Sequence, residues 1–361
     1  MARSSSEAGW NRVRRPLAPS GREVFVSPKN LRVPVIQAAL FAELQKLCLR
    51  SFPERLEQRI SQVETPAGGR HPTLGLTLSW RRGHQAGVER LIVRRYSDRW
   101  TWWSLDDPAK AQREWTVVRW LYGEGFAVPQ VYALGSSQEP ASLLMARAPG
   151  RPCAPMQGAG QATAIQDWHV DTLAGLLADL HQRKPPDAVR EALPDVTVAA
   201  ELRRMTDIAR EGHHDAIEEA VDELSATLAA ENVEMLPSCV LHGDLDLANV
   251  LVDARGITAV LCWENSAFGD RRWDVAYAAD SLYRYGGERF ANRFCATYAT
   301  RAAVPVAHLL FWQALAAVQR WVAWSWAQQH TGADQCESQA RLWGEQAWRA
   351  LTRLRYAKRE A

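Results

Sequence analysis

Residues His242-Gly243-Asp244-Leu245-Asp246-Leu247-Ala248-Asn249 place a carboxylate and a carboxamide five positions apart. The segment runs directly into two apolar runs, Asn249 to Val252 and Ile257 to Leu261, joined by Asp253-Ala254-Arg255-Gly256. That spacing and those turn residues predict a loop followed by a β-hairpin. A carboxylate held in such a loop can orient an acceptor hydroxyl and relieve it of its proton, while a nearby amide oxygen can help hold magnesium against the phosphates of a nucleotide. Phosphoryl transfer needs both jobs done. The bland alternative for the same two residues is a structural pair within a loop.

The elements that must position this loop can be read on either side of it. From Ile60 to Arg95, short runs rich in β-branched and aromatic residues are broken by Ala67-Gly68-Gly69 and by Gly83 to Gly87, which predicts an antiparallel sheet whose clearest strand is Leu91 to Arg94. Asp107 as a cap and Pro108 in the first turn open a helix running to about Tyr122, with Trp115, Val118 and Leu121 at helical spacing and Gly123 at its end. Strands resume at Gln130 to Leu134 and at Leu143 to Ala146; Pro149-Gly150 and the loose stretch to Gly160 mark a crossing into a mostly helical region. There, Asp167 to His181 aligns Leu173, Leu176, Leu177 and Leu180 on one face, a second helical stretch spans about Ala199 to Ala230, and the chain reads as helical from Trp273 onward. Ala302 to Gln319 has 18 residues without a formal charge, but His308, Gln313 and Pro305 interrupt it and Arg320 comes directly after, so it reads as a buried helix rather than a membrane span. Six Trp in the last sixty residues, Trp312 to Trp348, read as core.

HGDxxxxN ahead of a hairpin, then the pair Trp263-Glu264, then Gly269-Asp270 with Asp274 four residues later, resembles the aminoglycoside phosphotransferases; choline kinases and homoserine kinases look similar. The resemblance spans roughly residues 60 to 330. It implies an α+β, two-lobed, protein-kinase-like fold, with a small antiparallel-sheet N-lobe carrying one main helix (residues 33–147, nucleotide-binding) and a larger, mostly helical C-lobe (residues 148–361, with the catalytic loop and acceptor site). By the same resemblance Asp244 is the catalytic base, Asn249 a magnesium ligand, His242 a structural residue of the loop and Asp274 the carboxylate that braces it. Arg94 stands where the family pairs a cation with nucleotide phosphates, Glu114 is its helix partner, Gly68-Gly69 matches the phosphate-covering loop loosely, Met145 lies near the adenine-contacting hinge, and His181 takes the place of a helix-ending His. A strand Arg with a helix Glu is also a common structural ion pair.

The sequence departs from the family at one position. An Asp that clamps magnesium is expected immediately before Trp-Glu, and this chain reads Leu261-Cys262-Trp263-Glu264. A thiolate is soft and magnesium demands hard oxygen ligands, so Cys262 is no simple substitute. Asp246 and Glu264 are the nearby acids that could supply oxygen instead. Two functions are compatible with this pattern: an ATP-dependent phosphotransferase acting on a small-molecule hydroxyl, with magnesium held by Asn249 and Glu264; or a catalytically silent pseudokinase that binds nucleotide, a metabolite or a partner.

Composition fits either one. Forty-three basic against 41 acidic residues give a net charge of +2, no field that would select nucleic acid or membrane as the partner. Residues 1–32 carry seven basic and two acidic side chains and read as a disordered tail, the alternative being a basic arm that docks on an acidic surface; a helix from about Val35 to Leu49 opens the ordered part. Six scattered cysteines without a CxxC pair, and no apolar leader behind the N-terminal arginines, point to the cytoplasm. The acidic run Asp207, Glu211, Asp215, Glu218, Glu219, Asp222 and Glu223 reads as a solvated helix face or a cation-attracting rim of the acceptor pocket. The expected partner is a small hydroxylated metabolite or an aminoglycoside-like substrate; ATP against GTP, and the oligomeric state, are left open.

Overall fold

The computed structural model describes residues 38–66, 71–96, 100–135, 141–154, 165–231, 233–331 and 334–360. They fall into two compact units, one made of the described residues of 38–64 with 75–91 and the other of the described residues of 65–74 with 92–360.

In the first unit, α1 (Ala38–Ser51) presents Leu44, Leu47 and Cys48 at helical spacing as a buried stripe. β1 (Arg59–Glu64) pairs antiparallel with β2 (Thr73–Arg82), setting Ile60 opposite Leu78 and Val63 opposite Leu76, all four buried. Gly83, at φ +59°, supplies the left-handed residue of the tight turn into β3 (Gln85–Arg95). Arg55 lies 4.0 Å over the Phe52 ring and pairs with Glu89 at 3.0 Å.

In the second unit the chain continues through α2 (Lys110–Gly123), β4 (Val131–Leu134), β5 (Ser142–Ala146), β6 (Arg151–Pro152), α3 (Asp167–Gln182), α4 (Asp187–Ala192), α5 (Val198–Glu211), α6 (Asp215–Ala230) and β7 (Cys239–Leu241). Next come β8 (Val250–Asp253), β9 (Gly256–Val260), β10 (Ala267–Gly269), α7 (Arg272–Gly286), α8 (Glu288–Ala302), α9 (Leu309–Thr331) and α10 (Asp334–Glu360). β5 lies beside the C-terminal end of β3 and pairs antiparallel with β4. The predicted hairpin is β8 and β9, with Val250 opposite Val260, and β6 joins its outer edge. β7 and β10 form a separate antiparallel pair. An antiparallel sheet and a larger helical part make this the expected α+β class.

Two apolar clusters support the second unit. One gathers Val117, Leu121, Leu173, Leu177, Trp263, Val275 and Phe294 from α2, α3, α7, α8 and the segment after β9. The other gathers Trp273, Trp312, Leu315, Val318, Val322, Trp343 and Leu351, chiefly from α7, α9 and α10. Burying each such Leu, Val or Phe stabilises by roughly 1.5–3 kcal/mol relative to exposure. Among the six C-terminal Trp, Trp312, Trp324 and Trp343 are buried, and Trp321, Trp326 and Trp348 pack against the same cluster half-buried.

Three boundaries differ from expectation. α2 begins at Lys110 rather than Pro108, because Asp107 Oδ1 accepts from Ala109 N at 3.1 Å and closes a turn ahead of the helix. The stretch from Ala199 to Ala230 is two helices, broken where His213 takes φ +54°. Ala302 to Gln319 is not one helix: α8 ends at Ala302, Ala303 turns left-handed at φ +53°, and α9 starts after Pro305, at Leu309. Among the described residues, no helix is long and apolar enough to cross a membrane.

Candidate active site

The loop from His242 to Asn249 is delivered by β7 and braced from α7. Gly243 sits at φ +81°, and a Cβ there would lie 2.0 Å from the Asn265 carbonyl oxygen, so the residue between His242 and Asp244 must be glycine. Asp274, fully buried in the first turn of α7, accepts from His242 N at 2.7 Å and from Gly243 N at 2.8 Å, one oxygen to each amide. His181 Nε2 lies 3.2 Å from the same carboxylate and its Nδ1 lies 2.7 Å from the Tyr298 hydroxyl. Burial lowers the His181 pKa against the opposing pull of Asp274, so the ring is neutral; it donates from Nε2 to Asp274 and accepts from Tyr298. The His242 tautomer follows from its partners: Nδ1 accepts from Asp244 N at 3.1 Å, which leaves Nε2 to donate to the Leu261 carbonyl at 2.9 Å. A loop, a strand end and three helices, α3, α7 and α8, are thereby tied together.

Asp244 and Asn249 are brought together. Asn249 Nδ2 donates to the Asp244 carbonyl oxygen at 2.9 Å and lies 3.5 Å from Asp244 Oδ2. The other carboxylate oxygen, Oδ1, accepts from Arg320 Nη2 of α9 at 2.6 Å. The Arg320 side chain is 2% exposed and that of Asp244 19%. The guanidinium lies 3.9 Å over the Tyr277 ring and 4.5 Å over that of Trp343. Burial opposes its charge, but Asp244, Tyr277 and Asp246 together outweigh it and raise its pKa. Asp246 caps the short turn Leu247–Asn249 through Ala248 N at 2.9 Å and pairs with Arg284 Nη2 at 2.6 Å. Burial would raise its carboxyl pKa; Arg284 and Arg320 hold it below the ordinary 3.8. Neither Arg284 nor Arg320 stands out as a site residue in the sequence. For Arg320 there is nonetheless a signal to read: one permanent charge inside an otherwise apolar helical stretch demands a partner.

Cys262 comes after β9 in a left-handed conformation, φ 70° and ψ 59°, and opens the short turn Trp263–Asn265. Arg113 Nε and Nη2 donate to the Glu264 carbonyl at 3.1 and 2.8 Å, and Trp102 N donates to Asn265 Oδ1 at 3.0 Å, which fixes this turn. Arg94 reaches Glu114 Oε1 at 3.1 Å and Glu264 Oε1 at 2.6 Å. Tyr96 donates to Glu114 Oε2 at 2.6 Å, and His71 Nε2 lies 3.7 Å from Glu264 Oε1. Burial raises the Glu114 pKa, with Arg94 opposing. The packing around Cys262 pushes its thiol up to about 12, so it is a neutral thiol, not a thiolate.

Met145 lies in β5 opposite Val131 and is buried. Gly68 and Gly69 lie outside the described residues. The acidic run on α5 and α6 is largely solvated, with Arg210 pairing Glu218 at 2.7 Å and Arg355 pairing Glu223. A surface cavity of about 590 Å³ between Gly150, Trp168, His169 and the hairpin tip at Val252 to Ala254 does not reach Asp244 or Asn249.

Magnesium needs several hard oxygen donors in near-octahedral array. Near Asn249 this chain offers the Asn249 amide oxygen, the Cys262 sulfur, and carboxylates already bonded to arginines: Asp244 to Arg320, Asp246 to Arg284, Glu264 to Arg94. Among the described residues no group of three or more His, Cys, Asp and Glu is disposed to hold a metal ion. Glu264, expected as a metal ligand, is turned toward Arg94, and the donor set as a whole does not fit magnesium.

The model of a family described as "Phosphotransferase enzyme family" matches residues 76–307. An aminoglycoside 3'-phosphotransferase of Streptomyces fradiae is 30% identical over 208 residues, covering 55% of this chain and 75% of that protein. Among solved structures, the GDP complex of wild-type aminoglycoside 2'-phosphotransferase-IIIa is similar with a TM-score of 0.59 at 15% identity, covering 87% of this chain and 99% of that one. A choline kinase of Streptococcus pneumoniae is similar with a TM-score of 0.56 at 15% identity, covering 85% and 99%. At such identities these structures speak for the fold, which is that of the kinase-like phosphotransferases.

Proposed function

Since the chain belongs to the phosphotransferase enzyme family, we propose that it transfers the terminal phosphate of a purine nucleoside triphosphate, ATP being the first to test and GTP the second, to a hydroxyl of a small molecule. The juxtaposition of Asp244 and Asn249 on a loop braced by Asp274 carries this reading. Asp244 orients the acceptor hydroxyl and takes its proton as the new oxygen–phosphorus bond forms and the bond to the β-phosphate oxygen breaks, releasing the diphosphate. Arg94, held by Glu114 and Glu264, supplies fixed positive charge for the phosphates. His242 and Asp274 keep the loop in shape, and Met145 stands at the adenine end. The acceptor is a hydroxylated metabolite or an aminoglycoside-like compound, in keeping with the similarity to an aminoglycoside phosphotransferase and a choline kinase. Six free cysteines suit work in a reducing cytoplasm.

The test is phosphorus NMR on the purified chain with ATP and a panel of amino alcohols, sugars and aminoglycosides. A new phosphomonoester, reduced about 10²- to 10⁴-fold in a folded Asp244→Asn variant, is the expected result. Product formation that ignores this substitution would remove Asp244 from the chemistry.

A second reading has its own observation. Cys262 stands where the family expects a metal carboxylate, and neither Asp246 nor Glu264 is disposed to replace it. In that reading the fold is a pseudokinase that binds nucleotide or metabolite without turnover, and no compound in the panel is phosphorylated.

A further inference from the structure

Around the loop, each carboxylate near the expected metal position is matched with an arginine of the same chain. Asp244 meets Arg320, Asp246 meets Arg284, and Glu264 and Glu114 share Arg94, at 2.6, 2.6, 2.6 and 3.1 Å. These arginines are themselves pinned. Arg320 lies between the Tyr277 and Trp343 rings, Arg284 lies 5.2 Å over Trp343 and also pairs with Asp280 at 2.9 Å, and Arg94 lies 5.6 Å over Tyr96. The position that would add one more carboxylate holds the uncharged sulfur of Cys262.

This arrangement has two consequences for a nucleotide. A divalent cation is the usual means of bringing a triphosphate to a cluster of carboxylates; three guanidinium groups against five carboxylates, Asp280 included, leave less negative charge to overcome than the same site would have with an aspartate at position 262. One oxygen of each carboxylate that such a cation would need, in Asp244, Asp246 and Glu264, is bonded to an arginine. A guanidinium carries five N–H donors in a planar fork, and among the described residues the two carboxylates engage two of those of Arg94, so donors remain there for phosphate oxygens. We infer that this site takes its nucleotide without a divalent cation, with the chain's own arginines standing where the metal charge would be. The inference rests on the nucleotide-binding part of the proposed function and changes its cofactor from metal nucleotide to free nucleotide.

The experiment is calorimetric titration of ATP into the full chain, once with magnesium and once with a chelator, repeated on Cys262→Asp after its thermal transition shows it folded. For the wild type, dissociation constants agreeing within about threefold are expected, whereas Cys262→Asp binds at least about tenfold tighter with magnesium than without. Manganese alone, followed by its EPR signal, should stay unbound by the wild-type chain and be retained by Cys262→Asp. Tenfold tightening of the wild type by magnesium would overturn the inference and leave the nucleotide reading standing. An absence of saturable ATP binding under both conditions would overturn the two together. A folded Cys262→Asp chain indifferent to magnesium and manganese would show that position 262 is not what governs the metal, which also overturns it.

Discussion

Asp244 has two tasks in this molecule, and they separate in experiment. It is the proposed proton acceptor, and it is also the carboxylate on which the buried Arg320 depends. Breaking a buried ion pair from one side leaves an uncompensated charge, at a cost of about 3–5 kcal/mol. Asp244→Ala is expected near the low end of that range, since Asp244 keeps some contact with solvent, and Asp244→Asn to cost less because an amide oxygen still accepts from the guanidinium. Urea unfolding of Asp244→Ala, Arg320→Ala and the double variant should show the two losses to be strongly non-additive; additive losses would mean that the pair contributes little. Loss of activity in Asp244→Ala alone is therefore no measure of chemistry.

His181 makes a second prediction at this scale. Its pKa is lowered by burial, so between its folded value and the ordinary 6.5 the unfolded chain binds more protons. The stability it contributes is complete above about 6.5 and is lost as pH falls through the folded value. Thermal melts should show the transition falling on acidification below that point, with a shallower fall in His181→Gln. His169, also lowered by burial, adds to the slope of both proteins and cancels in the comparison. An unchanged profile in the variant would mean that His181 does not titrate in this window.

At the scale of elements, the loop from His242 to Asn249 is a backbone device before it is a chemical one. Gly243→Ala must place a Cβ against the Asn265 carbonyl at a left-handed φ. The backbone conformation alone costs about 1–3 kcal/mol, and the clash adds to it, so this variant is expected to be destabilised by more than Gly243's exposed counterpart Gly83→Ala, whose Cβ would meet nothing within 4 Å. Comparing the two midpoints in denaturant checks this. The hairpin of β8 and β9, helix α3 and the strands from Ile60 to Arg95 are legible in sequence because each is a local pattern: turn residues at fixed offsets, or apolar residues at a fixed period. β6, β7, β10 and α4 are not, since two to six residues cannot display a period. The break between α5 and α6 is hidden because only Gly212 to His214 separate two helical patterns, too few residues to read as a loop. Within the site, Asp244 and Asn249 are visible because five positions separate them; the sequence shows that Arg320 needs a partner but not that the partner is Asp244, which lies 76 positions away and meets it only in the packed fold.

For the molecule as a whole, the family match ends at residue 307, yet the chain builds much of its interior from residues beyond that point. α9 and α10 supply Phe311, Trp312, Leu315, Val318, Val322, Trp343 and Leu351 to one of the two apolar clusters of the second unit, facing Trp273 and Tyr277 of α7. They also supply Arg320 to Asp244 and, through Gln319, contacts to Trp273 and Tyr277 from inside the same core. A chain ending at residue 307 would expose the α7 face that carries Trp273 and Tyr277, and would leave Asp244 without its cation. The cooperative thermal transition of the full chain is accordingly expected to disappear in this truncation, although every motif that defines the family is still present. Leu351→Ala, a milder change on the buried face of α10, is expected to cost about 2–5 kcal/mol while leaving the transition cooperative. A sharp, reversible melt from the truncated chain would show instead that residues 308–361 are an addition to a self-sufficient fold, and Arg320 an accessory to the site rather than part of its foundation.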